Sequence, residues 1–196
     1  MEIEYLTRLA KNPKKYPDYP EYNFQDNKPI SMEEILDLEL KFNQGRPFPK
    51  ALRELLYLAG KQCYCLLFNM LDDDGEMPEQ RYQEFVQRQT RIELKRYNVH
   101  IDRPFYVIDS RDGTSVRMVY LDEGDDPMVY FVEIHKEPSS IFQPRNKTLT
   151  QLINHVLYHT DRVPYDVDVE RKKQQKQKKS ISSVGKFYQS LKNIFK

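Results

Sequence analysis

Apolar residues recur at helical spacing in two neighbouring stretches of the chain. In SMEEILDLELKFNQG, Ser31 and Glu34 form a capping-box pattern, so the sequence predicts a helix that begins after Ser31 and ends near Asn43, before Gly45. In KALRELLYLAG a second apolar stripe precedes Gly60 and consists of Leu52, Leu55, Leu56 and Ala59. The two patterns predict consecutive helices joined by a short, proline-containing connection.

The spacing of apolar residues changes twice further along the chain. Residues 62–70, QCYCLLFNM, predict a buried strand, and residues 79–97 predict a third helix with one half-buried face formed by Tyr82, Phe85, Val86 and Ile92. From residue 103 the period becomes two, and FYVID, SVRMVYL and MVYFVEI predict three strands joined by the turn sequences RDG and DEGDDP. TLTQLINHVLYHT predicts a last helix.

This order of elements lacks the alternation of strands and helices that is typical of a parallel sheet. The predicted fold class is therefore α+β: a single domain in which helices pack against an antiparallel or mixed sheet.

Charge and composition divide the chain into three parts. Residues 171–196 hold nine Lys or Arg and no Asp or Glu, whereas residues 1–170 hold 22 basic and 30 acidic residues, a net charge of −8. The segment KYPDYPEYNF combines helix-interrupting prolines with aromatic rings. We predict an extended, Tyr/Pro-rich N-terminal arm over residues 1–29, the α+β domain over residues 30–165, and a basic C-terminal tail with a short amphipathic helix over residues 166–196.

Targeting and cysteine patterns favour the cytoplasm. Met1–Ala10 carries Glu2, Glu4 and Arg8, unlike a secretion signal, and no run approaches the roughly 18 apolar residues of a membrane span. The two cysteines, Cys63 and Cys65, are too few for a disulfide framework or a Cys-rich zinc site, so they are interpreted as packed thiols.

Two patterns resemble metal sites without completing them. An EF-hand register around the acidic loop that precedes Gly75 would put Met70 first and Arg81 twelfth, where oxygen ligands are needed. His155 and His159 have zinc-compatible spacing on the last helix, but the glutamate of the HExxH motif is absent, and partly buried boundary positions are the favoured interpretation. The sequence therefore predicts no catalytic, cofactor-binding or metal-binding residues.

Several segments together resemble the SUKH superfamily of immunity proteins and yeast cell-wall-assembly-regulator-like domains. They are EEILDLELKF, PFPKALRELLYLAG, GTSVRMVYLDEGDDPMVYFVE and TLTQLINHVL, which follow the family's order over roughly residues 30–160. In the third segment, Gly113 stands at the first turn, Asp126-Pro127 at the second, and Val129-Tyr130 at the start of the following strand. The resemblance implies a SUKH-like fold.

The resemblance also implies a binding protein and not an enzyme. Bacterial SUKH-like members neutralise polymorphic, contact-delivered toxins, commonly nucleases, by occluding the toxin surface. Acidic loops would suit a basic toxin, because a negative potential speeds encounter by roughly 10 to 1,000-fold at low salt. The candidate partner-binding residues lie in two loops and are Asp72, Asp73, Asp74, Asp122, Glu123, Asp125 and Asp126.

The loop after the second predicted strand has a structural interpretation as well. Gly124 permits a left-handed backbone, and Pro127 fixes the entry to the next strand. We expect this loop to be primarily a turn between two strands, with its acidic residues forming the partner-binding surface.

The basic tail leaves a second function open. A scaffold or regulatory protein could be tethered to a membrane or a nucleic acid through it. Docking of the nine positive charges on the acidic body, or no docking at all, is the favoured interpretation of the tail. The expected partner is therefore a protein toxin, with no small-molecule substrate and no cofactor.

Overall fold

The computed structural model describes residues 1–12, 27–66, 82–111, 115–134 and 142–160. These residues form helices α1 (Thr7–Lys11), α2 (Met32–Asn43), α3 (Lys50–Ala59), α4 (Tyr82–Arg96) and α5 (Leu149–Thr160), and strands β1 (Phe105–Arg111), β2 (Ser115–Tyr120), β3 (Met128–Glu133) and β4 (Phe142–Thr148). The chain divides into two units, Met1–His159 and Thr160–Lys196, and Thr160 is the one described residue of the second. The predicted α+β class is confirmed for the first unit.

The four strands form one antiparallel sheet in the order β1-β2-β3-β4. Val119 of β2 stands opposite Tyr106 of β1 and Val129 of β3. A register shift between Val107 and Asp109 interrupts the first pairing. The predicted three-stranded meander is confirmed, and β4 is an additional strand that the sequence pattern did not indicate.

Alternate residues of the sheet enter two apolar clusters. Tyr106, Ile108 and Val119 pack with buried residues of α1, α2, α3 and α5. Val107 and Met118 face the other way and pack with Val86 and Leu94 of α4. The sheet therefore carries four helices on one face and α4 on the other.

The side chains of α4 also cover the free edge of β1. The Gln87 side-chain amide donates to the carbonyl oxygen of Val107 at 2.7 Å and accepts from its N–H at 2.9 Å. The prediction for this helix needs correction: Val86 is buried as expected, but Ile92 is 57% exposed, and Gln83, Gln87 and Thr90 are buried. A strand edge requires hydrogen-bonding partners, so the face that meets it is polar.

The first two predicted helices are confirmed, with their ends. The Ser31 side chain accepts from the N–H of Glu34, and the Glu34 carboxylate accepts from the N–H of Ser31. At the end of α2, Gln44 is left-handed, and Gly45 also has positive φ. Gly60 follows α3 in a right-handed conformation, and a side chain would not fit there, because a Cβ would lie 2.5 Å from the carbonyl oxygen of Leu56.

Two expectations about local structure differ from what is observed. Residues 62–66 are not a strand: Gln62 makes an isolated bridge with Lys28, and a turn follows. Residues 7–11, within the predicted arm, are helical, and Leu6 and Leu9 are buried in the core. The remainder of that strand prediction at 67–70, the Tyr/Pro-rich segment 13–26 and the tail from residue 161 lie outside the described residues.

Candidate functional site

The loop between β2 and β3, residues 121–127, is called the acidic turn here. Its backbone is bonded to three other parts of the molecule. The N–H of Leu121 donates to the carbonyl oxygen of Pro104, the N–H of Ala51 to that of Asp125, and the N–H of Leu149 to that of Pro127, each at 2.9 Å. The predicted left-handed glycine is confirmed, because Gly124 has φ +85°. The acidic turn is therefore a junction between the segment before β1, the start of α3 and the start of α5.

Arg103 holds two of the four carboxylates of the acidic turn. Its guanidinium donates to both oxygens of Asp122, at 3.2 and 2.5 Å, and to Glu123 Oε1 at 3.1 Å. The same guanidinium lies over the ring of Tyr120, with its central carbon 4.0 Å from the ring centroid. Glu123 also accepts a hydrogen bond from the hydroxyl of Tyr130 at 2.8 Å.

Asp126 has a capping role. Its Oδ1 accepts from the N–H of Thr150 at 3.0 Å, in the first turn of α5. Beside it, the Thr148 hydroxyl accepts from the N–H of Gln151, and the Gln151 side chain accepts from the N–H of Thr148, which is a capping box. Asp126 therefore fixes the start of α5, and its negative charge suits the positive end of the helix dipole.

Asp125 is the carboxylate of the acidic turn with the weakest side-chain contact. Its oxygen lies 3.8 Å from Lys50 Nζ, and its side chain is 54% exposed. Lys50 also lies 3.5 Å from Glu4, whose side chain is 53% exposed. Exposed carboxylates from the N-terminal segment and from the acidic turn thus lie on either side of one lysine.

The net charge at the acidic turn is less negative than its four carboxylates suggest. Arg103 and Lys50 lie among them, and hydrogen bonding to Arg103 holds the pKa of Asp122 below its usual value. Neighbouring Glu4 and Asp125 raise the pKa of Lys50. Burial and, as a smaller effect, the hydrogen bond to Glu123 raise the pKa of Tyr130. All these shifts favour the charge states already present at neutral pH, so this arrangement can bind a partner but is not poised to exchange protons there.

The other candidate residues are placed as follows. Asp72, Asp73 and Asp74 lie outside the described residues, so the structure brings together four of the seven acidic candidates. His155 is exposed, which corrects its expected partly buried position. Cys63 and Cys65 are buried, as predicted for packed thiols. Within the described ranges, no three His, Cys, Asp or Glu residues are grouped in a way that could hold a metal ion.

Sequence reasoning missed Arg103, Lys50 and Glu4. Arg103 is 19 residues before Asp122 along the chain, and no local spacing rule links such positions. The antiparallel pairing of β1 with β2 brings their outer ends together, where Phe105 stands opposite Tyr120, and so places Arg103 beside the acidic turn. The pairing of these two strands was predicted from the sequence, and it could have indicated that Arg103 lies beside the acidic turn.

No family model, curated protein or solved structure matches this chain. Among the described residues, no helix is both long and apolar enough to cross a bilayer.

Proposed function

We propose that this chain is a cytoplasmic, SUKH-like immunity protein that binds and neutralises a contact-delivered toxin by covering part of its surface. The toxin would be basic where it meets this protein, as nucleases commonly are where they hold phosphates. The acidic turn and the neighbouring Glu4 would form the centre of the contact.

One observation carries this proposal: exposed carboxylates are presented on a backbone that is bonded into three structural elements. Binding costs free energy whenever a loop must be ordered, and a turn already fixed by α3, α5 and the segment before β1 avoids much of that cost. The position of Asp125 is set by its own carbonyl bond to Ala51, so its carboxylate starts from a fixed point. A preorganised charged surface supports recognition of one partner by shape and charge together.

The ion pairs within the acidic turn change how the proposal works. Since Arg103 offsets much of the charge of Asp122 and Glu123, long-range attraction is weaker than the sequence suggests. Specificity would then rest on short-range geometry: a basic partner group must approach Asp125 and Glu4 while Lys50 is displaced or rearranged. Lys50 is 53% exposed and makes ion pairs at 3.5 and 3.8 Å, so moving it costs little.

Co-expression tests this function directly. Cells that express a candidate toxin domain should stop growing, and co-expression of the full chain should restore growth and yield a complex that survives purification. Failure to rescue, or rescue with no complex at micromolar concentrations, would contradict neutralisation by occlusion. A toxin variant inactivated at its catalytic residues should still bind, because the proposed contact does not depend on toxin chemistry.

A further inference from the structure

Two open clefts meet at Arg91. The first, of about 360 Å³, is lined by Phe42, Gln44 and Arg46, at and after the end of α2, and by residues 102–105 before and at the start of β1. The second, of about 370 Å³, is lined by the end of α4 and residues 98–101. Arg91 and Phe105 line both clefts.

Arg91 is held in place by neutral groups. One terminal nitrogen donates to the carbonyl oxygen of Gln87 at 2.9 Å, and the other donates to that of Phe105 at 2.8 Å. The central carbon lies 4.3 Å from the ring centroid of Phe105 and 4.9 Å from that of Phe42. Within the described part of the chain no Asp or Glu pairs with Arg91, whereas Arg88, one turn earlier, pairs with Glu84.

A half-buried guanidinium without a carboxylate is an incomplete arrangement. Burial lowers the pKa of Arg91 to about 10, a sign that its charge is poorly solvated there. A guanidinium has five N–H donors in one plane, and the two carbonyl bonds and one long contact to Gln87 Oε1 use only part of them. Aromatic rings stabilise its face, but its edge is the part that binds a carboxylate or a phosphate through two parallel bonds.

The surroundings of Arg91 are basic in a body that is acidic. Arg46 lines the first cleft, and Lys95 lines the second. Arg103 also lines the first cleft, but its charge is offset by Asp122 and Glu123 of the acidic turn. Asp102 is the one acidic residue of either lining, and its carboxylate pairs with His100 at 2.7 Å. The ends of α2 and α4 attract cations and so account for Arg46 and Lys95, but Arg91 lies more than a turn before the end of α4.

We propose that the cleft at Arg91 binds a small oxyanion, a phosphate or a carboxylate, with Arg91 as the anchoring residue and Arg46 at the mouth. The anion would complete the hydrogen bonding of the guanidinium edge and offset its buried charge. The anchoring residue Arg91 is not part of the proposed toxin contact, although Arg103 both lines the first cleft and holds Asp122 and Glu123 of the acidic turn.

Titration of the full chain with sodium phosphate, monitored by amide chemical shifts, tests the proposal. A parallel titration with sodium chloride at equal ionic strength is the control. We expect saturable shifts at the end of α2 and at residues 102–105 with phosphate and none with chloride. A second titration with acetate identifies the preferred group: tighter binding of either oxyanion supports the site. Shifts that do not saturate, or that chloride reproduces, would overturn it.

Matched variants locate the site. Arg91→Met should weaken phosphate binding about tenfold or more, while Arg88→Met on the same helix leaves it unchanged, because Arg88 is paired and 66% exposed. If Arg91→Met does not fold, Arg46→Glu decides, since Arg46 is exposed. Arg46→Glu should weaken phosphate binding severalfold or more, and an unchanged affinity would overturn the proposal.

Discussion

Glu54 of α3 and Glu39 of α2 are buried carboxylates that bind backbone N–H groups. Glu54 is 2% exposed and accepts hydrogen bonds from the N–H groups of Glu4, Tyr5 and Leu6, at 2.7 to 3.2 Å. Glu39, also 2% exposed, accepts from the N–H of Phe48 and pairs with Arg53 at 3.0 Å. Both residues could be mistaken for catalytic acids in a sequence, but their contacts are those of structural anchors.

Replacing Glu54 tests its anchoring role. Glu54→Ala leaves three N–H groups without their acceptor, so we expect the free energy of unfolding to fall by about 3 kcal/mol, measured by urea denaturation. Hydrogen exchange at residues 4–6 should accelerate more than exchange in the sheet. Glu33→Ala, an exposed position on α2, serves as the control and should change stability by about 0.5 kcal/mol or less. A similar loss in both variants would contradict the anchoring role.

The ion pair between Arg103 and Asp122 has a measurable signature. In Arg103→Gln the pKa of Asp122 should rise toward its usual value of 3.8, followed by carboxyl chemical shifts during an acid titration. A carboxylate whose folded pKa is lowered stabilises the fold above its unfolded pKa, and this stabilisation disappears as pH falls through the folded pKa. The stability difference between wild type and Arg103→Gln should therefore narrow in acid. An unchanged pKa of Asp122 would show that the pair is not formed in solution.

At the scale of elements, the contact between α4 and β1 decides how the sheet ends. Gln87 gives Val107 the two hydrogen bonds that a neighbouring strand would have made, and Arg91 supplies a third to Phe105. An uncovered strand edge can pair with another chain, so α4 also shields this edge from such pairing.

Substitution of a glutamine on α4 tests whether this helix stabilises the edge of β1. Gln87→Leu removes both partners of Val107, and we expect a loss of about 2 to 3 kcal/mol in unfolding free energy together with a greater tendency to aggregate. Gln89→Leu is the matched control, because Gln89 makes only a 3.4 Å contact with Glu93. Equal stability of the two variants, measured by urea denaturation, would contradict the edge-capping role of Gln87.

The elements also show what the sequence could predict. α2, α3, α5 and the first three strands follow from local apolar spacing and turn residues, because each buries one regular face. The buried face of α4 did not follow, since glutamines occupy it for the sake of a strand edge that is distant in sequence. β4 reads FQPRNKT and has no apolar alternation; as the last strand of the sheet it tolerates Pro144.

Only those parts of the candidate site that depend on local sequence could be predicted. The acidic turn was recognised from Gly124 and Pro127, which act locally. Its links to α3 and α5, and the pairing with Arg103, depend on tertiary contacts between residues far apart in the chain. Local patterns therefore predicted the turn, but not how much of its charge is offset.

Across the whole molecule, the basic tail separates the two proposed classes of function. Deletion of residues 171–196 removes nine positive charges and should leave toxin affinity and growth rescue unchanged if the protein is an immunity protein. A tethered scaffold would instead lose binding to anionic vesicles or to RNA on this deletion. Vesicle flotation and RNA gel shifts of the full and truncated chains, alongside the toxin titration, distinguish these outcomes.

The central claim is that the protein acts by presenting a fixed acidic surface to a basic toxin. Asp125→Lys reverses an exposed charge of that surface without disturbing the carbonyl bond of Asp125 to Ala51. Asp37→Lys, on α2, is a close control, because Asp37 is 53% exposed and also pairs with a lysine. Calorimetric titration of the purified toxin is the most direct measurement: Asp125→Lys should weaken binding by about tenfold or more and Asp37→Lys by less than about twofold. Equal affinities for both variants would contradict the claim.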